Sequence, residues 1–157
     1  TAYEIPKRDW SSDVCSSDLT VWDVYASGGT IYAATGGGLG VSTDGGTNWT
    51  TYTTGSGLGS NDVRSVYASG GMIYAATSGG GLSVSADSGA TWTTYTAASS
   101  GLANDAMYGV YADGGVIYGA TASGLSVAAV PEPSTYAMAL AGLGFTGYTM
   151  FRRRKRA

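Results

Sequence analysis

Hydrophobic and polar positions alternate in short runs through the middle of this chain. In the stretch 61–96, NDVRSVYASGGMIYAATSGGGLSVSADSGATWTTYT, runs rich in Val, Ile, Tyr, Trp and Thr are separated by Gly-Gly or by a polar turn. Apolar residues do not recur at helical spacing, so the pattern predicts β-strands. We place four strands at 63–68, 72–77, 82–86 and 92–96, joined by hairpin turns.

The same pattern occurs three times along the chain. Val24-Tyr-Ala-Ser-Gly-Gly recurs at Val66 and, with Asp for Ser, at Val110, which gives a period of 42 and then 44 residues. A repeat of this length is one supersecondary unit that buries its apolar faces by stacking on its neighbours. Four short antiparallel strands per repeat match the blade of a β-propeller. We therefore predict an all-β fold, a partial β-propeller of about three four-stranded blades with the last incomplete, followed by a single C-terminal transmembrane helix.

The repeats divide residues 20–130 into three predicted blades, at about 20–62, 63–105 and 106–130. The third is too short to hold a fourth strand. Because propellers usually close with roughly four to eight blades, we expect these residues to be the C-terminal piece of a longer propeller. The open end of the blade stack at residue 20 would expose apolar strand faces and edges, so we expect the piece to fold poorly alone.

A polar turn is repeated in the first two blades. It reads Ser-x-Asp-x-Gly-x-Thr-Trp at 85–92, and at 42–49 it has Asn48 in place of Thr. The turn resembles the Asp box of sialidase-like (BNR) propeller repeats. In such a turn Asp can accept backbone hydrogen bonds, Gly supplies a positive φ and Trp can bury its ring. The resemblance implies a structural staple rather than a catalytic or metal-binding site. The residues of the two boxes are Ser42, Asp44, Gly46, Trp49, Ser85, Asp87, Gly89 and Trp92.

Few residues of the repeats could support catalysis. The chain has no histidine, which excludes His-based triads. Its one cysteine is Cys15, so the repeats contain no thiolate site. A sialidase-type enzyme needs an arginine cluster with a Tyr and a Glu. Arg64 is the one arginine of the repeats, and Glu132 lies in the tail. We predict no catalytic residue, metal or cofactor here. The alternative is a fragment of a sialidase-type glycoside hydrolase whose active site lies in upstream blades.

The surface residues of the repeats do not indicate a particular ligand. The repeats contain six aspartates and a single basic residue, Arg64. Such an acidic surface repels phosphate backbones, so we predict no nucleic-acid partner. Tyr25, Tyr67 and Tyr111 recur in register. Recurrence of this kind is more typical of packing or rim residues than of a sugar-binding platform.

Residues 1–19, TAYEIPKRDWSSDVCSSDL, share no pattern with the repeats. Reverse translation of residues 1–5 and 9–19 matches parts of a common sequencing-library adapter. We interpret residues 1–19 as a non-native, disordered leader, and we exclude it from reasoning about the fold. Cys15 belongs to this leader, so the repeats themselves contain no thiol.

The tail consists of three parts in a fixed order. Pro131-Glu132-Pro133 comes first, an apolar run at 135–151 follows, and a basic cluster ends the chain. The cluster is Arg152, Arg153, Arg154, Lys155 and Arg156. As a helix the apolar run would span about 26 Å, close to the thickness of a bilayer's hydrocarbon core. The cations would hold their end in the cytoplasm. The order of the three parts, at 131–157, resembles the PEP-CTERM sorting signal of Gram-negative bacteria.

The resemblance implies that an exosortase-type membrane protease recognises Pro131, Glu132 and Pro133. The segment 135–151 would hold the protein transiently in the inner membrane with the repeats outside the cytoplasm. Cleavage would then release it towards the cell surface or the exopolysaccharide matrix. An ordinary C-terminal anchor is the alternative for the same hydropathy.

We therefore expect an exported, non-enzymatic structural or binding module. Its expected partners are the sorting protease and, transiently, the inner membrane, and an envelope polysaccharide is a further candidate suggested by the tail alone. The inter-blade loops at 54–62 and 96–105 each carry Gly-Leu followed by Asn-Asp. These loops resemble propeller repeats in extracytoplasmic sensor regions of two-component regulators. A sensor-type propeller is thus a second alternative, which a terminal sorting signal disfavours because no transmitter region would follow it.

Overall fold

The computed structural model of this protein describes residues 20–129. They form three antiparallel sheets whose strands lie side by side in the order of the chain. The predicted leader 1–19 and sorting signal 131–157, with its span at 135–151, lie outside the described residues. Among residues 20–129, none of the helices is long and apolar enough to cross a bilayer.

Each sheet is one blade, and the third has three strands within the described residues. The first blade contains β1 (Val21–Ser27), β2 (Thr30–Thr35), β3 (Gly38–Ser42) and β4 (Thr50–Tyr52). The second contains β5 (Val63–Ser69), β6 (Met72–Thr77), β7 (Gly81–Ser85) and β8 (Thr93–Tyr95). The third contains β9 (Met107–Asp113), β10 (Val116–Thr121) and β11 (Gly124–Ala129). The predicted all-β class with four-stranded antiparallel blades is confirmed.

The first hairpin of every blade turns on a Gly-Gly pair. Gly28 and Gly29 have φ values of 59° and 83°, and the pairs that follow β5 and β9 are alike. A two-residue turn with both φ angles positive matches the right-handed twist of the flanking strands, and glycine adopts it without strain. The recurring Gly-Gly therefore fixes the register of the two inner strands in each blade.

The strands of the second blade lie within two residues of their predicted positions. The inter-blade loops differ from the prediction because each contains a short helical turn, a 3₁₀ helix at Thr54–Ser56 and the α-helix α1 at Ala97–Ser100. Thr96 caps α1, since its hydroxyl accepts a hydrogen bond from the Ser99 amide. Both turns are local and polar, so they leave no apolar periodicity in the sequence.

The blades stack through their inner strands β1, β5 and β9, and two apolar clusters lie between them. The first cluster joins blades 1 and 2, and its members include Leu39, Val41, Val63, Val66 and Ile73. The second joins blades 2 and 3, and its members include Leu82, Val84, Met107, Ala112 and Ile117. At both junctions, one face of a blade thus packs against the opposite face of the blade that follows it.

The outer faces of the two end blades expose the positions that are buried at the inner interfaces. Val24 is 60% exposed, whereas its counterpart Val66 is 3% exposed. At the other end Leu125 is 68% exposed, whereas its counterpart Leu82 is 3% exposed. Within residues 20–129, both end faces therefore present an apolar sheet surface of the type that stacks on another blade.

Candidate functional site

The first polar turn is closed by the carboxylate of Asp44. One of its oxygens accepts hydrogen bonds from the Ser42 hydroxyl at 2.9 Å and from the backbone amides of Thr47 and Asn48 at 3.0 and 2.9 Å. The other accepts from the Asn48 side-chain amide at 2.7 Å. The Asn48 amides, followed by the Ser42 hydroxyl, lower the pKa of Asp44 from 3.8 to about 2. The carboxylate is thus engaged by its own turn.

The second turn repeats this arrangement around Asp87. Its carboxylate accepts hydrogen bonds from the Thr91 hydroxyl at 2.6 Å, the Thr91 amide at 2.8 Å and the Ser85 hydroxyl at 2.8 Å. The Thr91 contacts, followed by that of Ser85, lower the pKa of Asp87. Ser85 also accepts from the Gly89 amide at 2.8 Å. The serine, aspartate and glycine of both predicted boxes therefore lie in hydrogen-bonded turns.

The two box tryptophans occupy different surroundings. The Trp49 indole N–H donates to the carbonyl of Gly46 at 3.0 Å, within its own turn. Trp92 instead lies edge-on to Tyr52 of blade 1, with ring centroids 5.6 Å apart, and passes close to Gly57 of the loop before blade 2. Trp92 therefore seals the outer part of the junction between blades 1 and 2.

Six tyrosines form a continuous double row along the inner strands. Tyr25, Tyr67 and Tyr111 follow one another with centroid distances of 5.0 and 4.9 Å. Each also lies beside a tyrosine of the neighbouring strand in its own blade, at 6.2 to 6.4 Å. These second tyrosines are Tyr32, Tyr74 and Tyr118. The row runs across all three blades, and Tyr111 at its end is 52% exposed.

Polar contacts connect the inner strands of blades 1 and 2. The Asp23 carboxylate accepts hydrogen bonds from the Ser65 hydroxyl at 2.8 Å and the Val66 amide at 3.0 Å. Arg64 pairs with Asp62 at 2.7 Å and lies over the Trp22 ring at 4.0 Å from its centroid. The one arginine of the repeats is therefore already engaged.

An apolar groove with a volume of about 560 Å³ lies between blades 2 and 3. It runs from strands β7 and β8, past the loop that follows α1, to strands β10 and β11. Its lining includes Leu82, Val84, Tyr95, Leu102, Ile117 and Val127. Among residues 20–129, no group of three His, Cys, Asp or Glu side chains is placed to hold a metal ion. The groove and the tyrosine row are two apolar surfaces of the described residues.

Sequence reasoning located the boxes and the inner tyrosines but missed the second tyrosines and the groove. Tyr32, Tyr74 and Tyr118 each follow Ile in the repeated Ile-Tyr pair, so their signal was present in the sequence. The groove left no such signal, because its walls come from two repeats and a loop. The predicted sorting residues Pro131, Glu132 and Pro133 and the basic cluster 152–156 lie outside the described residues.

The stacked four-stranded sheets define the chain as a β-propeller protein. It belongs to the DUF6242 β-propeller domain family, whose model matches residues 43–140. Residues 129–155 match the model of the PEP-CTERM protein-sorting motif. The predicted resemblance to propeller repeats with this sorting motif is thereby confirmed. None of the curated proteins matches the chain significantly.

Several solved structures share the fold. The extracellular domain of BT3049 from B. thetaiotaomicron, assigned to a hybrid two-component system, superposes with a TM-score of 0.59 at 22% identity over 73% of this chain. PorZ, a surface component of the type-IX secretion system of Porphyromonas gingivalis, superposes with a TM-score of 0.53 at 16% identity over 68% of this chain. YCF48 bound to D1 peptide superposes with a TM-score of 0.52 at 21% identity over 74% of this chain. The chain spans 17%, 17% and 37% of these proteins, and at such identities the likeness shows the fold alone.

Proposed function

We propose that this chain is an exported, non-enzymatic β-propeller module that exosortase-type processing delivers to the cell envelope. The observation that carries the proposal is the match of residues 129–155 to the PEP-CTERM sorting motif. Pro131-Glu132-Pro133, the apolar run at 135–151 and the terminal cations lie there in the order such a signal requires. A cation cluster after an apolar run favours retention of that end in the cytoplasm, with the repeats outside.

The engagement of the charged residues supports a non-enzymatic role. A substrate carboxylate would need free guanidinium groups, and Arg64 is paired with Asp62 and covered by Trp22. The carboxylates of Asp44 and Asp87 are held by their own turns. A sialidase-type hydrolase would therefore need catalytic groups other than those of residues 20–129.

An envelope polysaccharide is the ligand that we propose for the tyrosine row. Aromatic rings offer sugars a flat apolar face, and their hydroxyl groups add hydrogen bonds. Tyr111 and Tyr118 are 52% and 39% exposed because they lie on the outer face of the third blade, so they are the rings of the row that a glycan could reach when no further blade covers that face. Retention of the protein on exopolysaccharide-coated beads, lost in a Tyr111→Ala variant, is the expected result. Equal retention by the variant, or none by either protein, would contradict this part of the proposal.

Processing can be tested in a Gram-negative host that has an exosortase and in the same host without it. The full chain, fused to an export signal, should lose its C-terminal segment only when the protease is present, as judged by mass spectrometry of the released protein. Replacing Pro131, Glu132 and Pro133 by alanine should leave the protein uncut in the membrane fraction. Ser134→Ala is the matched control and should be processed normally. An ordinary anchor would stay uncut in both hosts, which would refute the proposal.

A further inference from the structure

Tyr25 and Tyr67 form the part of the tyrosine row that crosses from blade 1 to blade 2. Their ring centroids are 5.0 Å apart, and the ring planes make an angle of 51°. Tyr25 packs against the apolar cluster between blades 1 and 2, and Tyr67 packs against the cluster between blades 2 and 3. Both rings therefore lie at junctions between described blades, unlike Tyr111 on the outer face of the third.

Two phenol rings in contact can be joined by oxidation. A phenol that loses one electron and one proton becomes a phenoxyl radical, with part of its unpaired spin on the ring carbons next to the hydroxyl group. Two such radicals couple through these carbons, and the ring hydrogens then move to the oxygens, which restores two phenols. Aromatic rings with centroids about 4.5 to 7 Å apart are neighbours in direct contact. Coupling of Tyr25 to Tyr67 therefore needs rotation of the side chains but no separation of the blades.

The surroundings of the pair favour coupling. Tyr25 and Tyr67 are both half-buried, so part of each ring is open to a small oxidant, whereas Tyr74 is 5% exposed. Thiols reduce phenoxyl radicals before they couple, and the one cysteine of the chain, Cys15, lies outside the repeats. A radical on Tyr67 has only phenol rings as its nearest aromatic neighbours, with Tyr111 at 4.9 Å on its other side.

We propose that Tyr25 and Tyr67 are a dityrosine modification site, where a haem-type one-electron oxidant supplied with hydrogen peroxide joins blade 1 to blade 2. The two phenols together give up two electrons and two protons. One molecule of hydrogen peroxide accepts them and becomes two molecules of water. The new carbon–carbon bond joins the ring positions next to the two hydroxyl groups. The proposal rests neither on the sorting route nor on glycan binding.

The bond would strengthen a junction that is otherwise held by non-covalent contacts, such as the hydrogen bond from Ser65 to Asp23. It would close a covalent loop of the chain from residue 25 to residue 67. A cross-link between residues far apart in sequence restricts the unfolded chain more than the folded one, so it stabilises the folded state. Oxidation would thus lock blades 1 and 2 together.

The one arginine of the repeats makes this bond distinguishable from bonds between other tyrosines of the row. Trypsin cleaves after Lys and Arg, and Arg64 is the only such residue in 9–151. Tyr25 precedes Arg64 and Tyr67 follows it, whereas each of the other contacting pairs of the row lies wholly on one side. Among the contacting pairs of the row, a bond between Tyr25 and Tyr67 alone holds the two tryptic halves together.

The test treats the full chain, in dilute detergent solution, with a small haem peptide and hydrogen peroxide. Cys15 is first blocked with N-ethylmaleimide, and the oxidised monomer is isolated by size exclusion, denatured and digested with trypsin. The expected product contains both halves, shows dityrosine fluorescence and has the mass of the two halves less two hydrogen atoms. Fragmentation in the mass spectrometer should place the bond at Tyr25 and Tyr67. Complete separation of the halves, or a bond between other residues, would overturn the proposal.

Conservative variants test the two rings. Tyr67→Phe keeps the ring but cannot form a phenoxyl radical, so the yield of joined halves should fall by about tenfold or more, and Tyr25→Phe should act alike. Tyr108→Phe is the matched control, since Tyr108 is 58% exposed but is not part of the row, and it should give the yield of the unmodified protein. Oxidation in urea should also lose the product, because the rings are then no longer held together. An undiminished yield from Tyr67→Phe, or from the protein in urea, would overturn the proposal.

Discussion

The two junctions between blades have the same apolar core but different outer parts. Between blades 1 and 2, Trp92 fills the outer part and lies against Tyr52. Between blades 2 and 3, the corresponding part is an apolar groove of about 560 Å³. The third blade carries Ala128 where the second has the box serine Ser85. Ala128 lacks the hydroxyl group that Ser85 uses to hold the turn in blade 2.

This difference separates two contributions to blade stacking. Leu, Val and Ile on the inner strands bring neighbouring sheets together at both junctions, since both apolar clusters are buried. The box and the fourth strand act further out, where they cover the apolar core from solvent. Stacking of the blades therefore does not depend on the Asp box. Covering the apolar core of a junction from solvent does depend on it.

The largest expected effect comes from removing a buried leucine of the filled junction. Leu39 is fully buried and Leu125, at the same position of the third blade, is 68% exposed. Leu39→Ala leaves a cavity and should lower the free energy of unfolding by about 3 kcal/mol. Leu125→Ala, the matched control, should lower it by less than about 0.5 kcal/mol. Urea unfolding followed by circular dichroism measures both. Equal losses would mean that another surface covers the face of blade 3.

Much of the fold follows from local sequence. The Gly-Gly pairs and the alternating runs beside them identify the strands, because a two-residue turn with positive φ angles leaves few alternatives for the flanking residues. The box turns are also local, since Asp44 bonds to residues within four positions of itself.

The parts that could not be predicted are long-range. The contact of Asp23 with Ser65 joins residues 42 positions apart, and no local pattern marks it. The groove is also long-range, because its walls come from two repeats and from Leu102 of the loop between them, and no local pattern marks it.

The loop before the second blade lies close to the backbone of that blade. Gly59 lies against Gly80, so a Cβ at position 59 would collide with the Gly80 carbonyl oxygen and approach the Thr94 Cγ2 atom to 2.9 Å. The third blade has Ala103 at the same place in its loop, where its amide makes the corresponding bond to Ser126. The loop therefore packs more tightly on blade 2 than on blade 3.

Gly59→Ala should lower the free energy of unfolding by about 2 kcal/mol, because the backbone must shift to admit the methyl group. Gly55→Ala is the control, since a Cβ there has its nearest neighbour at 3.5 Å, and it should change stability by less than about 0.5 kcal/mol. Urea unfolding of the two variants makes the comparison. If Gly59→Ala is as stable as Gly55→Ala, the loop is not held tightly against blade 2.

The smallest expected effect concerns the pH dependence of the box in blade 1. Hydrogen bonds, chiefly from Asn48, lower the pKa of Asp44 to about 2 in the folded protein, from 3.8 for an unperturbed carboxyl group. The unfolded chain therefore binds a proton at a higher pH than the folded one. The stabilisation is fully present above about pH 4 and is lost as the pH falls through about 2.

Asp44→Asn removes this titration and replaces an acceptor of the Asn48 side-chain amide. The variant should be less stable than the unmodified protein at pH 6, and the difference should shrink as the pH falls from about 4 to about 2. Urea midpoints measured across this range give the result. Asp113→Asn, at the exposed end of β9, is the control and should keep the acid dependence of the unmodified protein. A constant difference between Asp44→Asn and the unmodified protein across the range would show that the Asp44 carboxylate does not stabilise the turn through its charge.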